Sequence, residues 1–227
     1  MFVLIHLLAG VLTGLALTLV FRDRLVVIMA TVGSVLPDII DKPLGNILLA
    51  NTLNYGRIYG HTLIFISAIL LAGLFLSFRY HRIGPLILAL VAGIISHQFL
   101  DFMWAQPGNW YWPVFGPFQG DVPAGFLVNA FFAELTSPYE WVAGIVALFL
   151  LAQAGIILLP GLLSYRKYAA IAGIVFATAS FITVIFLQSS PQPPASLQGT
   201  MITTLLIILG AAALWWKWPE PLPHTTE

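Results

Sequence analysis

Residues 83–104 read IGPLILALVAGIISHQFLDFMW, an apolar stretch with no charged side chain before Asp101. A run of roughly 20 mostly apolar residues is long enough to cross the hydrocarbon core of a bilayer as an α-helix. Its far end carries His97 and Asp101, which are four residues apart and therefore share one helix face. The stretch predicts a membrane span that ends in a polar site.

The rest of the chain has the same apolar character. Of its 227 residues, 59% are hydrophobic and 8% are charged, and the mean hydropathy is +0.95. Soluble domains carry about 25% charged residues, so most of this surface must face lipid. We predict an all-α fold, a polytopic transmembrane helical bundle without a soluble domain of any size, in which the lipid bilayer is the main partner.

Charge and cysteine content narrow the function. Nine basic and nine acidic residues cancel, which gives no electrostatic case for binding nucleic acid. The chain contains no cysteine, so disulfides and thiolate metal sites are excluded. A metal would have to be held by histidine and carboxylate side chains.

Seven segments are predicted to span the membrane. They are Phe2–Phe21, Leu25–Ile40, His61–Phe78, Ile83–Trp104, Trp141–Pro160, Tyr168–Leu187 and Met201–Trp216. The first lacks a basic n-region and a cleavage site before a polar chain, so we expect a retained span and not a signal peptide. The apolar stretch Val122–Leu135 is too short to span and is expected to be re-entrant or interfacial.

The distribution of basic residues predicts the orientation. With the N-terminus outside, the cytoplasmic segments carry seven basic residues: Arg22, Arg24, Arg79, Arg82, Arg166, Lys167 and Lys217. The opposite side carries only Lys42 and Arg57. The loop 105–140 has no Lys or Arg and is rich in Trp, Tyr and Pro, as expected at headgroup level.

Titratable groups inside a membrane are costly and indicate function. Six of them fall at the outer leaflet in the predicted orientation: His6, Asp38, Asp41, His61, His97 and Asp101. Imidazoles and carboxylates match a divalent cation such as Zn²⁺, Mn²⁺ or Fe²⁺, and we favour Zn²⁺ or Mn²⁺. The six could serve one ion or two, with Ser96 as a further donor to the site. Alternatively, His6 is an ordinary interfacial residue, and the two acids at 38 and 41 are helix caps or partners of the nearby cations.

Three other groups have simpler or alternative interpretations. Arg57 either extends its charge to the membrane interface or faces an anionic substrate. The aromatic cluster 105–112 fits an interfacial belt better than a substrate platform. His81 and His224 are expected to be ordinary surface residues.

The pattern resembles the YdjM-type family of membrane-bound, metal-dependent hydrolases, the LexA-regulated inner-membrane hydrolases and their relatives. Its elements occur in order over about residues 1–120: an early histidine in HLLAG (6–10), LPDIIDKP (36–43), RIYGHT (57–62), SHQFLD (96–101) and WPVFG (112–116). The chain departs from the pattern in two places. Its two acids at 38 and 41 are three residues apart instead of two, and Gly56 replaces a histidine found in many members.

The resemblance implies a hydrolase of the cytoplasmic (inner) membrane with its site facing outside. The expected metal ligands are His6, Asp38, His61, His97 and Asp101, with Asp41 as a ligand or base and Arg57 neutralising a phosphate or carboxylate. A more distant likeness to zinc-dependent phospholipase C and nuclease folds implies a phosphoester or lipid-linked substrate. We expect residues 1–120 to carry the site and residues 121–227 to support it.

Two other classes of function remain open. A transporter or channel could use the same residues to relay protons or bind a cation, although spans one, three and four have few polar groups in their inner halves. A non-catalytic membrane protein could hold a structural metal.

Overall fold

The computed structural model describes residues 3–120, 125–189 and 197–216. Over these ranges the chain forms helices and no strand. The α-helices are α1 (Val3–Phe21), α2 (Leu25–Gly33), α3 (Leu36–Pro43), α4 (Leu63–Arg79), α5 (Ile83–Leu100), α6 (Pro107–Trp110), α7 (Phe126–Leu135), α8 (Pro138–Gln153), α9 (Pro160–Leu163), α10 (Arg166–Gln188) and α11 (Leu197–Trp215). Short π or 3₁₀ turns occupy Leu44–Leu48, Tyr59–His61 and Met103–Ala105.

Four of these helices, α1, α5, α10 and α11, are long and apolar enough to cross a membrane. A fifth crossing is formed if α7 and α8, which meet at an angle of 67°, are counted as one bent span. The predictions of an all-helical fold and of association with the lipid bilayer are confirmed. The predicted number of about seven spans and the orientation of the N-terminus are not.

The difference in number comes from the second and third predicted spans and, unless it is joined to α7, from the fifth, where α8 has 16 residues. The second is divided into α2 and α3, and the α-helical hydrogen bonding is interrupted between Gly33 and Leu36. Pro37 lies at the start of α3, where a proline is tolerated because the first turn has free N–H groups in any case. The third, α4, has 17 residues and is about 26 Å long at 1.5 Å per residue, slightly less than the roughly 30 Å hydrocarbon core.

Helix α1 lies at the centre of the bundle and joins its two parts. On one side it contacts α2 and α5, and on the other side it contacts α8 and α11. The largest apolar core forms on this second side, where Leu8, Val11 and Leu15 of α1 are fully buried with Leu150 and Ile207. The C-terminal helices are thus packed directly on the helix that carries His6.

Helices α2 and α5 approach each other closely because glycines face the contact. A Cβ atom on Gly93 would overlap the carbonyl oxygen of Ala30, and one on Gly33 would overlap the carbonyl oxygen of Leu90. Small residues allow this approach of helix backbones in membrane proteins. The contact places the C-terminal end of α5 against the break between α2 and α3.

Candidate metal centre

The six sequence-predicted His and Asp residues lie together at one end of the bundle. His6 is in the first turns of α1, Asp38 and Asp41 are in α3, and His97 is near the end of α5, which Asp101 caps. His61 ends the 3₁₀ turn that precedes α4. Each of the six is at most 7% exposed, so they form a buried polar group and not a solvated surface.

Four of these residues could hold a metal ion together: Asp38, His61, His97 and Asp101. Each offers one ligand atom, and all four atoms lie within 4.8 Å of one another. All four side chains are buried. The group brings together residues from α3, the 3₁₀ turn and α5, so it depends on the packing of three separate segments.

The distances between the ligand atoms fit a small divalent ion. His61 Nε2 lies 3.0 Å from His97 Nε2, 3.8 Å from Asp38 Oδ1 and 3.6 Å from Asp101 Oδ2. His97 Nε2 lies 3.9 Å from both carboxylate oxygens. Ligands about 2.0–2.1 Å from a tetrahedral ion are roughly 3.3–3.4 Å apart, and the observed separations lie on either side of that value.

Asp41 fixes the orientation and tautomer of His61. The Asp41 carboxylate accepts hydrogen bonds from the backbone N–H groups of Ile58 (2.8 Å), Gly60 (2.8 Å) and His61 (3.2 Å). It also accepts from His61 Nδ1 at 2.7 Å. Because a carboxylate only accepts, Nδ1 carries the proton and the lone pair of neutral His61 is on Nε2.

A backbone carbonyl fixes the orientation and tautomer of His97. His97 Nδ1 donates to the carbonyl oxygen of Ser34 at 2.7 Å, in the interruption between α2 and α3. The lone pair of neutral His97 is therefore also on Nε2. Two Nε2 lone pairs then face each other at 3.0 Å, an arrangement that requires a shared proton or a cation between them.

His6 lies beside the group of four. Its Nε2 is 3.3 Å from Asp101 Oδ1, and its ring centroid is 4.3 Å from that of His97. The other oxygen of Asp101, Oδ2, faces His61. Asp101 thus has one oxygen on each side, with His6 on one side and the group of four on the other.

Two cations balance part of the carboxylate charge. Lys42 forms an ion pair with Asp38 from the next turn of α3. Arg57 Nε lies 2.9 Å from Asp101 Oδ2, and the Arg57 side chain is 24% exposed. With neutral imidazoles, three carboxylates and two cations leave the centre with a charge of −1. A divalent ion would change this to +1.

A second layer of hydrogen bonds ties the loop after α5 to the centre. Gln98, which is 2% exposed, donates to the carbonyl oxygen of Gly60 at 3.2 Å and accepts from Trp110 Nε1 at 2.6 Å. Asn109 pairs with the backbone of Gln119 through both side-chain atoms. The sequence signalled Gln98 as a polar residue inside an apolar span, but its role was not predicted.

Other sequence predictions have mixed outcomes. Ser96 is not a donor to the centre, because its hydroxyl donates to the carbonyl oxygen of Gly93 in the same helix. His81 is exposed, as expected for a surface residue. His224 and Lys217 lie outside the described residues. Lys42 pairs with Asp38, as expected if the acids at 38 and 41 are partners of the nearby cations. Arg57 pairs instead with Asp101.

Together these features define a helical membrane protein with a buried His/Asp group that could hold a divalent metal. A family model described as YdjM inner membrane protein matches residues 1–190, and the chain belongs to this family. The match continues beyond the motifs of residues 1–120 and includes α7 to α10. Comparison with curated proteins and with solved structures gives no match.

Proposed function

We propose that the protein is a metal-dependent hydrolase of the cytoplasmic membrane, with its centre in the extracytoplasmic leaflet and a phosphoester or lipid-linked substrate. Asp38, His61, His97 and Asp101 hold the metal, for which Zn²⁺ or Mn²⁺ fits best. The observation that carries the proposal is the pair of facing Nε2 lone pairs, 3.0 Å apart and enclosed by two buried carboxylates. A divalent ion there would acidify water into a nucleophile and polarise a phosphoryl oxygen.

Asp41 acts through His61. All four of its hydrogen-bond donors belong to the segment 58–61, with three on Oδ2 and one on Oδ1, and its side chain is 0% exposed. A carboxylate behind a metal-binding histidine orients the ring and raises its basicity. We therefore assign Asp41 this role in preference to that of a ligand or a general base.

The charge of the metal centre supports an anionic substrate. The change from −1 to +1 on metal binding makes the centre attractive to a phosphate group. Arg57, which is partly exposed and fixed against Asp101, would place its guanidinium beside that phosphate. Arginine suits this task because its N–H groups match phosphate oxygens in pairs.

The path of the chain supports four crossings before residue 101. Helix α1 leads away from the centre, α2 and α3 lead back to it, α4 leads away, and α5 returns. We propose that these four crossings and α8, α10 and α11 make seven in all, with the N-terminus outside, the orientation that the distribution of basic residues favours. In this arrangement residues 121–227 support the centre and do not contribute ligands.

His6 is proposed as a ligand of a second ion. His6 and Asp101 would then hold the second ion, since Oδ1 of Asp101 faces His6 while its Oδ2 faces His61. In a one-ion centre, His6 would instead hold Asp101 in place. The metal content of the purified protein, two ions or one per chain, distinguishes the two forms.

The transporter alternative has less support. Toward the other end of α1, α2 and α5, the described residues form an apolar core of Val26, Ala30 and Ala89. The buried charged residues of the described ranges lie at the end of the bundle that carries the centre. A path for protons or cations would need polar groups along its length.

The experiment measures hydrolysis of lipid phosphoesters by the purified full chain in vesicles, with chelator and after Zn²⁺ or Mn²⁺ is restored. We expect activity that chelator abolishes, that metal restores, and that His61→Ala removes. His81→Ala, which changes an exposed histidine far from the centre, is the control. Tightly bound metal without metal-dependent hydrolysis of any tested phosphoester would instead support a structural metal.

A further inference from the structure

A second polar feature lies near the same end of the bundle, outside the metal centre. A cavity of about 270 Å³ opens between the start of α1, the end of α7 and the start of α8. Two of its lining residues are carboxylates, Glu134 and Glu140. The other lining residues are apolar or aromatic: Val3, Leu4, Phe131, Leu135 and Trp141.

Both carboxylates have an oxygen that the described residues do not satisfy. Glu140 is 2% exposed; its Oε2 accepts from the backbone N–H of Leu4 at 2.7 Å, whereas its Oε1 is buried and accepts no hydrogen bond among the described residues. Glu134 Oε1 is in the same situation. Lys42 and the N-terminal ammonium group interact electrostatically with Glu134. The ammonium group of Lys42 is paired with Asp38, and no hydrogen bond from either cation reaches Glu134 Oε1. A buried acceptor without a donor is costly, so the cavity favours a donor that carries positive charge.

The lining decides which kind of cation fits. A divalent metal ion needs four or more ligands, and beyond the two carboxylates the lining side chains offer no oxygen or nitrogen ligand. An ammonium group on an apolar stem matches the whole lining, since its charge can pair with the two carboxylates and its stem can contact the apolar side chains. The indole of Trp141, held by a hydrogen bond from Nε1 to the carbonyl oxygen of Leu135, adds an aromatic surface that attracts cations.

The position of the cavity indicates how such a molecule would enter. Phe131, Leu135 and Trp141 are 59%, 43% and 52% exposed, and large exposed apolar side chains on a membrane protein face lipid. An amphiphile could therefore enter from the bilayer with its apolar part at these side chains. Its ammonium group would reach the carboxylates, of which Glu140 accepts from the N–H of Leu4, two residues before His6 in α1.

We infer that this cavity binds the primary ammonium group of an amphiphile through Glu134 and Glu140. A free long-chain amine and the ethanolamine headgroup of a phospholipid share this chemistry. Binding at this site does not depend on the proposed hydrolysis, because a simple amine contains no phosphoester.

The test compares dodecylamine with dodecanol, which has the same chain without the charge, for binding to the purified full chain in a non-ionic detergent. We expect the amine to bind about tenfold or more tightly than the alcohol, since hydrogen bonds to charged groups contribute that much. Glu134→Gln should reduce amine binding about tenfold and leave alcohol binding unchanged. Asp23→Asn, at the other end of α1, is the control and should change neither.

A second arm identifies the source of the ammonium group. The chain is extracted from vesicles containing equal amounts of phosphatidylethanolamine and phosphatidylglycerol, and retained lipid is measured by native mass spectrometry. Preferential retention of phosphatidylethanolamine, lost in Glu134→Gln, identifies a lipid headgroup; retention of neither lipid beside tight dodecylamine binding identifies a free amine. Equal binding of amine and alcohol, or amine binding unaffected by both Glu134→Gln and Glu140→Gln, would overturn the inference.

Discussion

Replacement of Asp41 by asparagine separates an orienting role from direct metal ligation. An amide has one oxygen, whereas the Asp41 carboxylate uses two. If that oxygen takes the place of Oδ2, it keeps the bonds from Ile58, His61 N and His61 Nδ1. The amide NH₂ then faces the N–H of Gly60, which donates to Oδ1 at 2.8 Å, and one buried donor loses its acceptor.

The expected size of the effect follows from these contacts. One buried unsatisfied donor costs about 1–3 kcal/mol of stability. Loss of the carboxylate behind a metal-binding histidine lowers metal affinity about 10–100-fold. We expect both effects in Asp41→Asn, together with retention of a measurable metal site, because the four proposed ligand residues remain.

The assay is a competition titration of Zn²⁺ between the purified protein and a coloured chelator, with thermal unfolding as a second readout. Asp38→Asn, which changes a proposed ligand, should lose more affinity than Asp41→Asn, and Asp23→Asn should lose none. Affinity unchanged within twofold in Asp41→Asn would refute the orienting role. Complete loss of binding in a folded Asp41→Asn protein would identify Asp41 as a ligand itself.

The remaining predictions concern packing and metal removal. A Cβ at Gly60 would lie 3.2 Å from Asp41 Oδ1. Gly60→Ala should therefore displace the 3₁₀ turn and weaken Zn²⁺ binding about tenfold. Unchanged affinity in the same titration would show that the turn tolerates the methyl group. Gly93→Leu would drive a side chain into the Ala30 carbonyl and should destabilise the protein by about 1–3 kcal/mol. Thermal unfolding measures this loss. The control, Gly161→Ala, should cause none, because a Cβ there has nothing within 4 Å. Chelation should lower the unfolding temperature, since a ligand at 1,000 times its Kd stabilises by about 4 kcal/mol; equal unfolding temperatures with and without chelator would argue against a tightly held ion.

The location of the centre could be predicted because charge is rare in this chain. A histidine or aspartate inside an apolar span is conspicuous, and alternating span directions place all six residues at one end. Asp38, His61, His97 and Asp101 are indeed brought together. The signal is strong because the cost of burying such groups in a membrane leaves few of them without a purpose.

The partners of these residues could not be predicted because they depend on tertiary packing. His97 donates to the backbone carbonyl of Ser34, 63 residues away, and any residue at that position offers a carbonyl. Arg57 pairs with Asp101 and Lys42 with Asp38, a choice that the sequence leaves open. The contact of Glu140 with Leu4 across 136 residues gives no local sequence signal at all.

Helix lengths were predicted less well than helix positions. Hydropathy treats 25–40 as one apolar segment, but the chain forms two helices there, because the N–H of Val35 donates to the carbonyl oxygen of Val32, three residues back, and the next α-helix begins at Leu36. That interruption presents the Ser34 carbonyl oxygen to His97. A hydropathy average cannot detect a feature of the backbone that serves the centre.

X-ray absorption by the bound metal tests the central proposal most directly. For the purified wild-type protein we predict a first shell of imidazole nitrogen and carboxylate oxygen at about 2.0–2.2 Å, with the multiple-scattering pattern of at least two imidazole rings. In a His61→Ala, His97→Ala double variant that pattern should disappear, while His81→Ala should leave it intact. A wild-type protein without bound metal, or with a metal shell that the double variant does not change, would contradict the proposed centre.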